Sequence, residues 1–311
     1  IPTLLDRIAQ QVVRKQLEIQ LEPLFHGSSY GYRPNRSAHD AVAQSQRNCF
    51  NHDFALDLDI KSYFDTIDHD LMMKALNHYC KDRWILLYVK RWLKADVLRG
   101  KERVSRITGT PQGGVISPLL ANLFLHVVFD EWMFKHHPEK PFERYADDII
   151  VHCKTEKQAL FMLKVIKVRM QSCHLELHPL KTKIVNLRGE SIGIYPKKYD
   201  FLGFSIKPTG VKTKKGVKSL PGTYVSIKSR TGILSKFSSW NIHKRRKPIE
   251  LIAKELNPMI RGIINYYHKF ENGSMRYVWN QLNARLLKWV KWEKGLYKYA
   301  AIRWLKTKYK E

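Results

Sequence analysis

Phe142-Glu143-Arg144-Tyr145-Ala146-Asp147-Asp148-Ile149-Ile150-Val151-His152-Cys153 is the stretch that decides how this chain folds. Two short apolar runs are interrupted by Tyr145-Ala146-Asp147-Asp148, the pattern of a β-hairpin with adjacent carboxylates at its tip. An Asp-Asp pair by itself is usually a solvated turn. This one lies inside an apolar hairpin, where unneutralised charge is costly. Upstream, Phe54 to Ile60 alternates aromatic or aliphatic residues with Asp57 and Asp59, the period-two pattern of a strand. Asp59 then falls near that strand's end, and a sheet that holds both segments can gather Asp59, Asp147 and Asp148. Three close anions repel unless something neutralises them. Mg²⁺ does so while keeping coordination positions for water and phosphate oxygens. Two such ions about 3.5–4 Å apart clamp the attacking and leaving oxygens of an in-line phosphoryl displacement.

Around these strands the apolar periodicity is mostly helical. Leu5, Ile8, Val12, Leu17 and Leu21 recur at helical intervals, and Pro23 ends that run. Tyr30 to Arg36 reads as a loop, and Ser37 followed three residues later by Asp40 marks the start of a second helix. Residues 69–94 read as helical, and Thr110 to Gly114 forms a loop feeding an apolar helix from about Pro118 to Phe129. A helix over 156–173 and strands near 183–187 and 201–206 complete the set. Helices mixed with paired strands, without regular βα alternation, predict an α+β layer such as the ferredoxin-like βαββαβ unit. From Lys207 to Lys247 the composition shifts to Lys, Gly, Ser and Thr, which reads as a flexible basic linker. Beyond it the stripes Ile252, Leu256, Ile260, Ile263, Tyr267 and Val278, Leu282, Leu286, Trp289 predict a small helical domain.

Charge separates the two ends of the chain. The 311 residues carry a net charge of +27. Residues 181–311 hold 30 basic and 7 acidic side chains, which leaves a net charge of only +4 on the first 180. A polyanionic partner, nucleic acid above all, is expected, with chemistry in the first part and backbone gripping in the second. Lys244-Arg245-Arg246-Lys247 and the later interleaving of Arg261, Lys269, Arg276, Arg285 and Lys288 with Trp and Tyr fit phosphate neutralisation and base stacking. Trp279, Trp289 and Trp292 each also fit plain core packing. Cys49, Cys80, Cys153 and Cys173 have no metal-ligand spacing and read as reduced thiols. No run approaches the roughly 20 apolar residues of a membrane span, so a soluble cytoplasmic protein is expected, in a bacterium, with an organellar setting left open.

Five motifs in order carry a family resemblance. Leu58-Asp59-Ile60-Lys61-Ser62-Tyr63-Phe64-Asp65, Thr110-Pro111-Gln112-Gly113-Gly114 running on to Asn122, Tyr145-Ala146-Asp147-Asp148, Leu177 to Lys183, and Phe201-Leu202-Gly203-Phe204 resemble the motifs of group II intron-encoded reverse transcriptases. Ile1 to Ile8 and Ser29 to Ser37 are similar to the family's fingers motifs, and Asn257 to Tyr267 to its maturase or thumb domain. The resemblance implies a right-hand polymerase of α+β class. Incomplete fingers and a ferredoxin-like palm would occupy residues 1–206, the basic linker segment 207–247, and a helical thumb (maturase) domain 248–311.

By motif position, Asp59, Asp147 and Asp148 would hold two Mg²⁺ ions, or Mn²⁺ in their place. The Ile60 carbonyl would help, and Asp147 would be the firmer ligand of the last pair. Amides of Ser62 and Tyr63 would meet the dNTP triphosphate, Phe64 would exclude a 2′-hydroxyl, and Gln112 would line the nucleotide pocket. Arg33, Arg36, Tyr145, Lys181, Arg261 and Lys269 would touch primer or template. Phe64 and Tyr145 also fit ordinary core packing. The implied partners are an RNA template, intron RNA, a DNA or RNA primer and dNTPs, with no membrane; oligomeric state stays open. Relatives carry basic fingers residues and a template-holding extension upstream of the Ile-Pro-Thr segment; neither is in this sequence, which opens at Ile1 without Met, and N-terminal sequence is expected to have been removed or left out. No His/Cys cluster follows the thumb, so C-terminal DNA-binding and endonuclease domains are not expected. The competing reading is a splicing cofactor that binds intron RNA without polymerising. A polymerase making RNA fits poorly with a bulky Phe64.

Overall fold

A computed structural model describes residues 2–99, 102–111, 113–188, 195–213, 216–270 and 273–308. Helix α1 (Leu4–Leu21) starts where the Thr3 hydroxyl accepts the Asp6 N–H, and Pro23 follows in a short 3₁₀ turn. It buries Gln10, Val13, Leu17 and Leu21. Leu5, Ile8 and Val12 belong to the same apolar periodicity yet are exposed. Helix α2 (Ala38–Cys49) opens with the expected capping box between Ser37 and Asp40. Strand β1 (Phe54–Asp59) follows, then the single-turn helix α3 (Tyr63–Thr66).

Residues 69–94, read above as one helical stretch, form two helices, α4 (His69–Tyr79) and α5 (Arg83–Lys94). The break has a packing cause. Each buries its own stripe, Met72, Ala75 and Leu76 in α4 against Ile85, Val89, Trp92 and Leu93 in α5, and Cys80 is extended between them. A small hairpin follows, β2 (Val97–Arg99) with β3 (Glu102–Val104). Next come α6 (Ser117–Leu125), a π-helical turn from His126 to Asp130, and α7 (Glu131–His136). Eight of the nine residues of α6 are buried, as expected of a helix that is apolar on all sides.

The decisive hairpin is β4 (Phe142–Tyr145) with β5 (Asp148–Cys153). Helix α8 (Glu156–Ser172) and strand β6 (Lys183–Asn186) complete a sheet of order β4-β5-β1-β6, whose pairings are all antiparallel. In the order β1, α4–α7, β4, β5, α8, β6 this is the βαββαβ connectivity expected from the sequence. α8 packs on β1 and β5, and Leu56, Leu58, Ile149, Val151, Met162 and Ile166 lie in the resulting core.

The segment 207–247 is not an unstructured linker. Strand β7 (Tyr199–Phe201) is followed by a long hairpin, β8 (Phe204–Thr213) and β9 (Gly216–Val225), and then by α9 (Ile227–Ser239). Gly216, at φ +116°, opens β9 in a conformation that suits glycine. The distal hairpin is exposed on both sides, with Val217 and its neighbours Gly216, Lys218 and Ser219 all solvated. A strand with no buried face shows no alternation, which is why composition alone reads as linker. α9 buries Ile233 and Phe237.

The chain divides into two compact units, one of residues 1–199 and 208–221, the other of 200–207 and 222–311. The second contains α10 (Ile249–Tyr267), α11 (Arg276–Glu293) and α12 (Lys298–Lys308). Within it the Phe204 ring meets Tyr266, Tyr267 and Phe270 at centroid distances of 5.7, 5.5 and 5.3 Å. Trp289 is fully buried and donates its indole N–H to the Arg245 carbonyl at 2.8 Å, whereas Trp292 is half exposed. No helix among the described residues is long and apolar enough to cross a membrane.

Candidate active site

Asp59 ends β1 and Asp148 begins β5, and the register sets them directly opposite each other. Asp147 precedes Asp148 in a turn that Ala146 closes with φ +56°. Burial raises the proton affinity of Asp147, the charge of Asp59 adds to the rise, and Lys181 opposes it. Asp147 and Asp59 therefore share one electrostatic environment, and the register places the Asp148 backbone beside Asp59. The Lys181 ammonium lies 3.3 Å from both Asp59 carboxylate oxygens. The backbone carbonyl of Asp59 accepts from the His178 N–H, and the Lys61 N–H donates to Glu176. Those two bonds use the β6 side of the chain, so alternation turns the Ile60 carbonyl towards β5.

Among the described residues no three His, Cys, Asp or Glu side chains stand close enough to hold a metal ion as placed. The donor set nevertheless fits a hard divalent cation: it is all oxygen, it is anionic, and it now leans on a lysine ammonium for neutralisation.

A clamp between two loops holds the segment expected to meet the nucleotide. Ser62 is left-handed at φ +48° and starts α3. The Phe64 carbonyl accepts the Thr110 N–H at 2.8 Å, and the Ile67 carbonyl accepts the Gly109 N–H at 2.7 Å. Gly109 is required there, since a Cβ would lie 2.7 Å from the Asp65 carbonyl oxygen. Tyr63 is buried and donates its hydroxyl to the Ala121 carbonyl, while Phe64 is half-buried with its ring 5.5 Å from that of Tyr63. Gln112 lies outside the described residues.

The expected role of Arg33 does not survive. Its side chain is buried, bound to Glu22 at 2.8 Å and to the carbonyls of His26 and Ser29 at 2.7 Å each, so it clamps its own loop and offers no charge to a phosphate. Arg36 is exposed with its guanidinium 5.6 Å from the Tyr30 ring centroid. Tyr145 is half-buried, 6.2 Å from the Tyr32 ring. Arg261 and Lys269 are exposed on the second unit.

Several positioning residues escape a motif reading. Arg144 is fully buried and holds Asp130 at 2.8 Å, Asn122 at 3.0 Å and the Ala146 carbonyl at 3.2 Å. It thereby ties the π-helical turn to the carboxylate hairpin. Its signal is an adjacent Glu143-Arg144 pair inside a hairpin whose other strand is largely apolar. Asn122 donates to the Gly31 carbonyl at 2.6 Å, and a Cβ on Gly31 would sit 2.5 Å from the Ala146 amide nitrogen. The Gly31 loop therefore lies tightly against the Asp147 turn. Gln10, buried on α1, accepts the Val115 N–H at 2.8 Å and braces the loop that contains Gln112. At the other end of the hairpin, Glu143 binds His152 at 2.7 Å in a buried pair. Burial alone would lower the His152 pKa, but the Glu143 and Cys49 partners push it up to about 10.

Comparison with known proteins identifies the frame. The reverse transcriptase (RNA-dependent DNA polymerase) family matches residues 1–206. The chain belongs to the reverse transcriptase family. In this reverse transcriptase, residues 231–311 further match the group II intron maturase-specific domain. The group II intron-encoded protein LtrA of Lactococcus lactis subsp. cremoris is 40% identical over 126 residues, covering 40% of this chain and 21% of LtrA. An uncharacterized 91 kDa protein in the cob intron of Schizosaccharomyces pombe is 29% identical over 188 residues, 57% of this chain and 23% of that protein. The matches thus span roughly a fifth of these relatives' length. Telomerase from Candida albicans, solved with a TWJ fragment of telomeric RNA, aligns with a TM-score of 0.51 at 15% identity, over 94% of this chain and 52% of that one. At that identity the likeness concerns the fold. Reverse transcriptase domains generally use divalent metal ions.

Proposed function

We propose that this reverse transcriptase is an RNA-directed DNA polymerase of group II intron type, which also binds intron RNA to assist splicing and mobility. The observation that carries the reading is Asp59 opposite Asp148 across β1 and β5 with Asp147 in the adjoining turn, its proton affinity raised by burial and by Asp59. A protein that only binds RNA gains nothing from a half-buried, mutually repelling carboxylate set, which weighs against the purely splicing reading.

In the proposed reaction the primer 3′-oxygen attacks the α-phosphate of a dNTP and pyrophosphate leaves. Asp59, Asp147 and Asp148 would hold two Mg²⁺ ions, which would supply positive charge for the attacking and leaving oxygens. Cationic charge there would offset the burial and the Asp59 charge that raise the proton affinity of Asp147, and the Ile60 carbonyl faces the β5 side. Lys181 is freed from Asp59 and is placed to meet an anionic phosphate. Ser62 and Tyr63 present their amides to the triphosphate, the Phe64–Thr110 and Ile67–Gly109 bonds fix the loop beside them, and Gln112 takes its nucleotide role from its motif alone. Tyr145 supports the primer terminus beside the Gly31 loop, and Arg36 lies exposed on the template side of that loop. In the helical maturase region Arg261 and Lys269 neutralise backbone phosphates.

Phe64 sets the choice of sugar. Its half-buried ring beneath the ribose favours dNTPs by a clash with the 2′-hydroxyl. Primer extension on an RNA template is expected to proceed with dNTPs, and Phe64→Ala is expected to raise NTP incorporation by about ten-fold or more, in line with the roughly 1–3 kcal/mol that a hydrophobic pocket discriminates per small group. Absence of dNTP incorporation by the wild-type protein would overturn the reading. An unchanged dNTP-to-NTP ratio in the variant would remove Phe64 from it.

A further inference from the structure

The exposed face of α5 stands apart from the rest of the polymerase half. Between Arg83 and Lys94 the helix carries Arg83, Lys90, Arg91 and Lys94 and no carboxylate. The net charge of that single helix equals the +4 carried by the whole of residues 1–180. All four cations are exposed, and none is ion-paired to a carboxylate among the described residues. The nearest acids in sequence are engaged elsewhere: Asp82 accepts from Gln20 at 2.9 Å and Asp96 from Ser105 at 3.1 Å.

Large apolar side chains accompany these charges. Trp84, Leu87 and Tyr88 are 45%, 47% and 41% exposed. Spacings of three and four residues put them on one helix face with Arg91 and Lys94. The opposite face is committed to the core through Ile85, Val89, Trp92 and Leu93. Arg91 stands 5.9 Å from the Tyr88 ring centroid, and the Tyr88 and Trp92 rings are 5.6 Å apart. Tyr88 is thereby backed by a buried indole, which leaves its outer side as a platform.

We infer that this face of α5 is an RNA-docking surface, lying outside the carboxylate site, on which unpaired bases stack against Trp84 and Tyr88 while Lys90, Arg91 and Lys94 neutralise the adjoining phosphates. Charge complementarity selects the occupant. A second copy of the chain would bring two uncompensated cationic faces together, whereas RNA supplies both the anions and the π-faces that such a surface takes. The inference deepens the proposed intron-RNA binding and rests on that reading for the identity of the RNA.

The test uses the full chain and a labelled RNA hairpin with a single-stranded oligouridine tail. Lys90→Glu/Arg91→Glu/Lys94→Glu is expected to weaken binding at least ten-fold near physiological salt, and to flatten the slope of log K against log salt by about two. Trp84→Ala/Tyr88→Ala is expected to weaken binding about five-fold or more with the slope unchanged. Both variants should still extend a DNA primer pre-annealed to a short RNA template, since none of these residues belongs to the carboxylate site. Ultraviolet crosslinking of 4-thiouridine-substituted RNA to the wild-type protein gives a readout independent of any variant's folding, with adducts expected on residues 83–94. Wild-type affinity and slope in both variants, or adducts confined to other segments, would overturn the inference and leave the exposed aromatic side chains to a protein partner. Failure of the wild-type protein to extend primers, with the binding losses intact, would strike the polymerase reading alone.

Discussion

Replacing Asp147 with alanine is expected to lower RNA-templated primer extension by about a thousand-fold or more, measured as single-turnover incorporation of one dNTP. A metal ion at a reacting phosphate is worth several kcal/mol of transition-state stabilisation, and each 1.36 kcal/mol is tenfold in rate. Asp147 combines a turn position, half-burial and a raised proton affinity. Its loss removes the ligand that the hairpin places with least freedom, while Asp59 stays paired with Lys181. The fold should persist, because Asp147 has no ion-pair partner in the hairpin itself and sits beyond the paired strands. Thermal unfolding within a few degrees of wild type would separate lost chemistry from lost structure. Retained extension would remove Asp147 from the metal-binding set.

Arg144→Ala should act through stability instead. Arg144 and Asp130 are both fully buried, and deleting one member of such a pair leaves the other charge uncompensated, at about 3–5 kcal/mol. Against a typical total of about 5–15 kcal/mol that is a large fraction, and it should show as a lowered urea midpoint. The double variant Arg144→Met/Asp130→Leu should lose much less than Arg144→Ala, since no charge then remains buried. Equal losses in the two variants would mean that packing volume, and not the charge pair, governs this position. Because Arg144 also holds the Ala146 carbonyl and Asn122, the single variant is expected to lose polymerase activity even where it is still folded.

Much of this molecule is legible from its chain because its local signals agree with its packing. The alternation of Phe54 to Ile60 and the break at Tyr145-Ala146-Asp147-Asp148 become β1 and the β4–β5 turn, and sheet register then sets Asp59 opposite Asp148. The capping box at Ser37 and the all-apolar α6 are local in the same sense. What escaped depends on long-range partners. Leu5, Ile8 and Val12 share the helical period of α1 with Leu17 and Leu21, yet only the rotation of the helix against its neighbours decides that Val13 faces inward and they do not. The distal, solvated part of the β8–β9 hairpin has no buried face to write a pattern into its residues. Arg33 resembles a nucleic-acid contact in its motif, and only the position of Glu22 shows that its charge is consumed within the loop. Gln10, Asn122 and Arg144 act on segments 105, 91 and 14 residues away, distances at which no spacing rule operates.

That Asp59, Asp147 and Asp148 together hold the metal ions of nucleotidyl transfer is tested most directly by Mn²⁺ titration followed by electron paramagnetic resonance. The sample is the full chain with an RNA template, a chain-terminated DNA primer and the next dNTP. About two tightly bound ions per chain are expected. A carboxylate must be deprotonated to bind a cation, so affinity should fall as pH drops through the raised pKa of Asp147, in a range higher than that of an unperturbed Asp. Asp147→Ala should lose the tight binding and its pH dependence together. Tight Mn²⁺ binding that is indifferent both to pH in that range and to Asp147→Ala would contradict the site.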